Sequence, residues 1–215
     1  MNHLSLAKLY ILSIIGVAAV FILQNGAALS GPFAILSFSA SLISPFLLFF
    51  HNTLPLFFRA IHKQELKLLS IAPLIELLVT LYIALTITTF GYQLATNPGA
   101  DSLVSIQAHL LHVSQIFAEN LWYMGTFLAL FLTIKRYTSI PPVWTITITT
   151  LAAGIFFGLL HFNTYAGNLT QIILLIGITS SIQVLLYIRT RNILVPFLAH
   201  LLYNLLLFGI TLIPS

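Results

Sequence analysis

Residues 192–215 read "NILVPFLAHLLYNLLLFGITLIPS". No charge follows Arg191 in this run. It is long enough to cross a bilayer, whose hydrocarbon core takes about 20 apolar residues of helix. Two polar groups interrupt it. His200 and Asn204 are four residues apart, one helical turn, so both project from the same side. Ionisable and strongly polar groups are costly in lipid and normally face the interior of a bundle, so the pair implies neighbouring helices.

The rest of the chain agrees. Of 215 residues, 59% are hydrophobic and only 6% are charged, where a soluble domain carries about 25% charged residues. The mean hydropathy is +1.05. This is the composition of a polytopic membrane protein, not of a soluble enzyme with one anchor. The net charge of +4 is spread over loops and forms no basic patch of the kind nucleic acid requires. There is no cysteine, which excludes disulfides and thiolate metal sites. The start, "MNHLSLAKLY", leads into an apolar run with no small-residue cleavage site and reads as a retained first helix.

Seven candidate spans follow from length and hydropathy: 9–23, 33–50, 68–92, 106–134, 143–162, 169–188 and 193–213. Turn-forming runs separate them, among them "NGAALSGP", "TNPGAD", "SIPP" and "YAGN". The fold expected is an all-α transmembrane bundle. All eight basic residues (Lys8, Arg59, Lys63, Lys67, Lys135, Arg136, Arg189 and Arg191) fall on one side of seven spans, while the other side's loops hold only Asp101 or nothing. The positive-inside rule then places the N-terminus in the cytoplasm. Three spans lie within residues 1–102 and four within 103–215.

Few ionisable groups fall inside the spans: Glu76, His109, His112, Glu119, His161 and His200. His112, Gln115 and Glu119 are spaced to share one face of the fourth helix. That face is expected to look into the bundle, either as an interhelical clasp or as a site. His161 ends "GIFFGLLHF", in which Gly158 lets a neighbour approach closely. Glu76 shows no evident partner in the sequence and reads as a packing or ion-pairing residue. His109 and His112 read as interfacial. Neither H-E-x-x-H nor G-x-S-x-G is present.

One Glu, two His and one Asn, drawn from three spans, suit hydrolysis by an activated water. A glutamate can take the proton as general base. A histidine can polarise a carbonyl or bind a metal, and an asparagine can donate to the developing oxyanion. Two imidazoles and the carboxylate could equally ligate zinc and leave a position open for water.

These residues stand in an ordered set: "ENLWYM" at 119–124, "FGLLH" at 157–161 and "HLLYN" at 200–204. The set resembles the three motifs E-E-x-x-x-R, F-x-x-x-H and H-x-x-x-N/D of the CAAX prenyl protease and bacteriocin-processing (CPBP, Abi) family of intramembrane metalloproteases. The tract "LLYIRTRNILVPFLAHLLYN" is similar to the family's joining segment. The likeness covers roughly residues 103–213. A second F-x-x-x-H match, Phe58 to His62, lies in a charged loop, whereas among the seven His only His200 has Asn four residues on. The first motif departs from the family, with Asn120 for the second Glu and Met124 for the Arg.

The resemblance implies an intramembrane endopeptidase with Glu119, His161, His200 and Asn204 as catalytic residues. Glu119, His161 and His200 would be the ligands if a divalent metal such as zinc is used. Substrates would be membrane-associated or prenylated proteins or peptides, in a multi-pass protein of the bacterial plasma membrane. The alternative is a catalytically silent member of the same fold, acting in bacteriocin immunity or as a scaffold. A small transporter is a third reading, disfavoured because no inverted repeat is evident. Depth poses a problem for the site. His161 reads as near the outer end of its span, and His200 as about 8 residues, or ~12 Å, in from the cytoplasmic side. Their meeting would require the fifth helix to run past His161, or the helices to tilt.

Overall fold

A computed structural model describes residues 4–25, 32–95 and 106–211. The side chain of His109, the loop residue Asp101 and the outer turns "NGAALSGP" and "TNPGAD" fall wholly or partly outside what is described. Among the described residues the regular structure is all helical. The helices are α1 (Leu6–Asn25), α2 (Pro32–Phe50), α3 (Lys63–Thr89), α4 (Ile106–Tyr137), α5 (Pro142–Leu159), α6 (Thr179–Thr190) and α7 (Leu194–Thr211). A short 3₁₀ turn, His51–Leu56, follows α2, and a π-helical segment, Gln171–Ile178, leads into α6. Among the described residues, five helical segments are long and apolar enough to cross a membrane. Over the residues whose side chains are described, α1 and α7 contribute shorter apolar stretches, Leu6–Ile22 and Leu194–Gly209.

The outward faces are apolar, as lipid requires: Phe21, Leu48, Leu78, Tyr82, Leu85 and Trp144 are all exposed. Inside, α4 is the central element. Ile116, Leu121, Met124 and Leu128 are fully buried along it, the last three in one core with Leu9 and Leu12 of α1 and Phe46 of α2. Hydrogen bonds join α1 to α4. Trp122 Nε1 donates to Ser13 O at 2.9 Å, Thr126 Oγ1 donates to Ser13 Oγ at 3.0 Å, and Tyr10 and Thr133 share a hydroxyl pair at 2.7 Å.

The second organising contact joins α5 to the π-helical segment. Cβ atoms added at Gly154 and Gly158 would overlap the carbonyl oxygens of Gly177 and Ile172. The backbones therefore touch, as the glycine in "GIFFGLLHF" suggested. Small residues of this kind are the usual basis of close helix packing in membranes. Hydroxyls support the widened turn: Ser180 and Ser181 both donate to Gly177 O, at 3.0 and 3.2 Å.

One end of the bundle is tied by polar contacts that carry the basic residues. Lys8 Nζ donates to Phe49 O at 2.9 Å. Arg59 pairs with Glu65 at 2.6 and 3.1 Å and donates to Thr190 O at 2.6 Å. Asn192 is wholly buried and sets the start of α7. Its Oδ1 accepts from Leu194 N at 3.2 Å, while its Nδ2 donates to Arg59 O at 3.0 Å. Thus the joining tract noticed in the sequence anchors α7 and with it the height of His200.

Overpacking a tight interface typically costs about 1–3 kcal/mol. Gly154→Ala and Gly158→Ala are each expected to destabilise the bundle by about that amount, seen as a lower melting temperature in detergent. Gly209→Ala, where an added Cβ meets nothing within 4 Å, is expected to leave it unchanged.

Candidate active site

The polar stripe of α4 organises the site. Gln115 Nε2 donates to Glu119 Oε1 at 2.8 Å, one turn along the same helix. This bond orients the carboxylate and leaves Oε2 without a hydrogen-bond partner among the described residues. Glu119 and Gln115 line a cavity of about 170 Å³ together with Trp122 of α4, Phe157 of α5 and His161. The opposite wall belongs to α1 and α2, through Gly16, Val20, Ala34, Ile35, Phe38 and Leu42. A carboxyl group and an imidazole therefore face one small cavity with an apolar far wall.

His161 does not sit within α5. That helix ends at Leu159, and His161 begins the turn leading to the π-helical segment. The expectation that α5 continues past it is not met. His161 keeps a helical contact nevertheless, with Nδ1 lying 3.0 Å from Phe157 O. A carbonyl oxygen only accepts, so Nδ1 carries the hydrogen and Nε2 keeps its lone pair. A neutral imidazole so held can accept a proton or hold a water.

His200 is reached through Phe157. The Phe157 ring lies 4.9 Å from the His161 ring and 6.2 Å from the His200 ring, between centroids. The F-x-x-x-H phenylalanine thus packs against both imidazoles, and its other neighbour is Tyr123, stacked at 4.8 Å. The two imidazoles are thus related through Phe157, which lies against each of them. His200 itself is buried, and its Nδ1 lies 3.1 Å from Asn120 Nδ2. Asn204, one turn further along α7, turns its Nδ2 to His112 Nε2 at 3.5 Å. Among the described residues, α4 and α7 are joined by the polar pairs Asn120 with His200 and His112 with Asn204.

The structure thus gathers Glu119 with His161 at the cavity, places His200 beside them across Phe157, and directs the Asn204 amide to His112. His112, read as interfacial, is half-buried and meets α7. Its i−7 spacing from Glu119 on the same face was the available signal. Asn120 gave no signal beyond its departure from the motif. Glu76, for which the sequence showed no partner, accepts from Gln183 Nε2 of α6 at 3.2 Å. Its second oxygen is buried without a partner.

The three side chains suggested as metal ligands do not fit that role as arranged. Among the described residues no group of three or more His, Asp or Glu lies close enough together to hold an ion.

Residues 101–206 match the family model described as type II CAAX prenyl endopeptidase, Rce1-like. This part of the chain belongs to the CAAX prenyl protease and bacteriocin-processing family. The matched region holds all three motifs and leaves α1, α2 and α3 outside it. The cavity therefore joins family residues to a wall built by helices that the match does not cover. No curated protein and no solved structure matches the chain. With its apolar helices, the family membership makes this an integral membrane protein of a protease family, set in a lipid bilayer.

Leaving a buried polar group unpaired costs about 1–3 kcal/mol. Gln183→Leu, which removes the hydrogen-bond partner that Glu76 has among the described residues, is expected to destabilise by that amount. The double variant Glu76→Leu/Gln183→Leu is expected to regain most of the loss, with thermal unfolding in detergent as the measure.

Proposed function

We propose that the chain is an intramembrane endopeptidase that hydrolyses peptide bonds of membrane-associated proteins or peptides. The observation that carries this reading is the shared cavity of Glu119 and His161, with His200 against the same Phe157. Glu119 Oε2 takes a proton from a water in the cavity, and His161 Nε2 holds that water in place. The hydroxide adds to the scissile carbonyl. His200 and Asn204, with His112 behind Asn204, serve the oxyanion. Collapse of the tetrahedral intermediate breaks the C–N bond, and Glu119 returns its proton to the leaving amine. No step is routed through a metal.

The substrate segment enters between the catalytic core, residues 103–215, and the three N-terminal helices, residues 1–102. The apolar wall supplied by α1 and α2 suits an apolar or lipid-modified chain, a prenylated one included. All seven helices cross the membrane in this reading. The N-terminus is cytoplasmic, a placement supported by the basic residues falling in alternate loops, Lys8 and Arg59 among them bonded to backbone at one end of the bundle. The setting proposed is a bacterial plasma membrane.

The second reading is a catalytically silent family member in bacteriocin immunity or scaffolding. It is favoured by Asn120 and Met124 standing where the family motif has Glu and Arg. One comparison separates the two. General-base catalysis contributes about 10²- to 10⁴-fold. Under the protease reading, Glu119→Gln is expected to lower the cleavage rate of a membrane-anchored peptide library by that factor with the melting temperature unchanged. If the intact chain and Glu119→Gln give the same cleavage pattern, or none, the silent reading stands instead.

A further inference from the structure

Asn120 makes two contacts with a single nitrogen. Its Nδ2 lies 2.9 Å from Ile116 O and 3.1 Å from His200 Nδ1, while its Oδ1 is buried without a partner. The backbone carbonyl of Ile116 only accepts, so the atom facing it is the NH₂ group and the orientation of the amide is set. The second hydrogen of that NH₂ points to His200. A nitrogen that receives a hydrogen bond carries no hydrogen, so His200 Nδ1 is the lone-pair atom. In a neutral ring the hydrogen then sits on Nε2. His161 is held the opposite way, with Nδ1–H on Phe157 O and Nε2 bare.

We infer that Asn120 is a positioning residue that locks His200 as an Nε2–H donor, so that the two imidazoles divide the work: His161 accepts a hydrogen bond from the water and His200 donates to the oxyanion. This rests on the endopeptidase reading for the use of His200, though the tautomer itself does not. A carboxylate at position 120 has no N–H. It could only accept from Nδ1–H, which would leave His200 Nε2 bare. The Asn in "ENLWYM" therefore reverses the proton placement that a Glu there would impose. The surroundings suit an uncharged group, because Ile116 and Met124, one turn either side of Asn120, are fully buried and apolar. The buried, unpartnered Oδ1 is a local cost that packing alone does not explain.

Two measurements on the full chain in detergent micelles test this. The first is ¹⁵N spectroscopy of the histidine rings near pH 8, with the His200 signals assigned by their loss in His200→Gln. The native chain is expected to show Nε2 protonated and Nδ1 bare at His200, and Asn120→Leu is expected to mix or invert the two. A native His200 with hydrogen on Nδ1 overturns the inference, whether or not cleavage is seen. The second is kinetic. Asn120→Leu, close to Asn in size, is expected to lower kcat about 10²- to 10³-fold with KM unchanged, the loss typical of one oxyanion donor. Should Asn120→Leu fail to fold, Asn120→Ala takes its place. Unchanged kcat in the variant, with activity still dependent on Glu119, overturns the positioning role and spares the endopeptidase reading. Cleavage that persists in Glu119→Gln overturns that reading instead.

Discussion

Hydrocarbon offers no hydrogen bond, so the polar side chains on the central helix α4 turn to the bundle for partners. Much of the architecture follows from that constraint. His112, Gln115, Glu119 and Asn120 occupy two turns of α4, and each is answered from α4 itself or from α7. Further along α4 the partners come from α1, through the indole of Trp122 and the hydroxyls of Thr126 and Thr133. A helix so engaged along its length is held in rotation and in depth. That gives Glu119 a defined direction into the cavity.

The histidines are then placed by different means. His161 stands just past the end of a short helix whose glycines press it against the π-helical segment. His200 stands on α7, whose start is set by Asn192 in contact with the loop at Arg59. Phe157 fills the space between the two rings and couples these separately anchored parts. The aromatic ring of the F-x-x-x-H motif is a spacer between imidazoles, where spacing along the chain would suggest only a shared helix face with His161.

The cavity's composition bears on what the protein can recognise. One side is polar and belongs to the matched family region. The other is apolar and belongs to α1 and α2. The polar groups thus lie within the matched region, and the apolar wall lies outside it.

Much of this was legible in the residues. Hydropathy and turn punctuation determined an all-helical bundle, because the lengths of apolar runs are set by the bilayer. The i, i+4 spacing of His200 and Asn204 and the face shared by His112, Gln115 and Glu119 were likewise readable, since helical period alone decides them. The partners were not. Gln183 for Glu76, His112 for Asn204 and Asn120 for His200 lie 107, 92 and 80 residues away in the chain. Nor could the sequence show that α5 stops before His161, since Leu160 and Phe162 suit helix and turn alike. By itself the sequence determined which residues share a face. Only the tertiary structure decided which faces meet, because that depends on the height and rotation at which glycine contacts and loop anchors lock each helix.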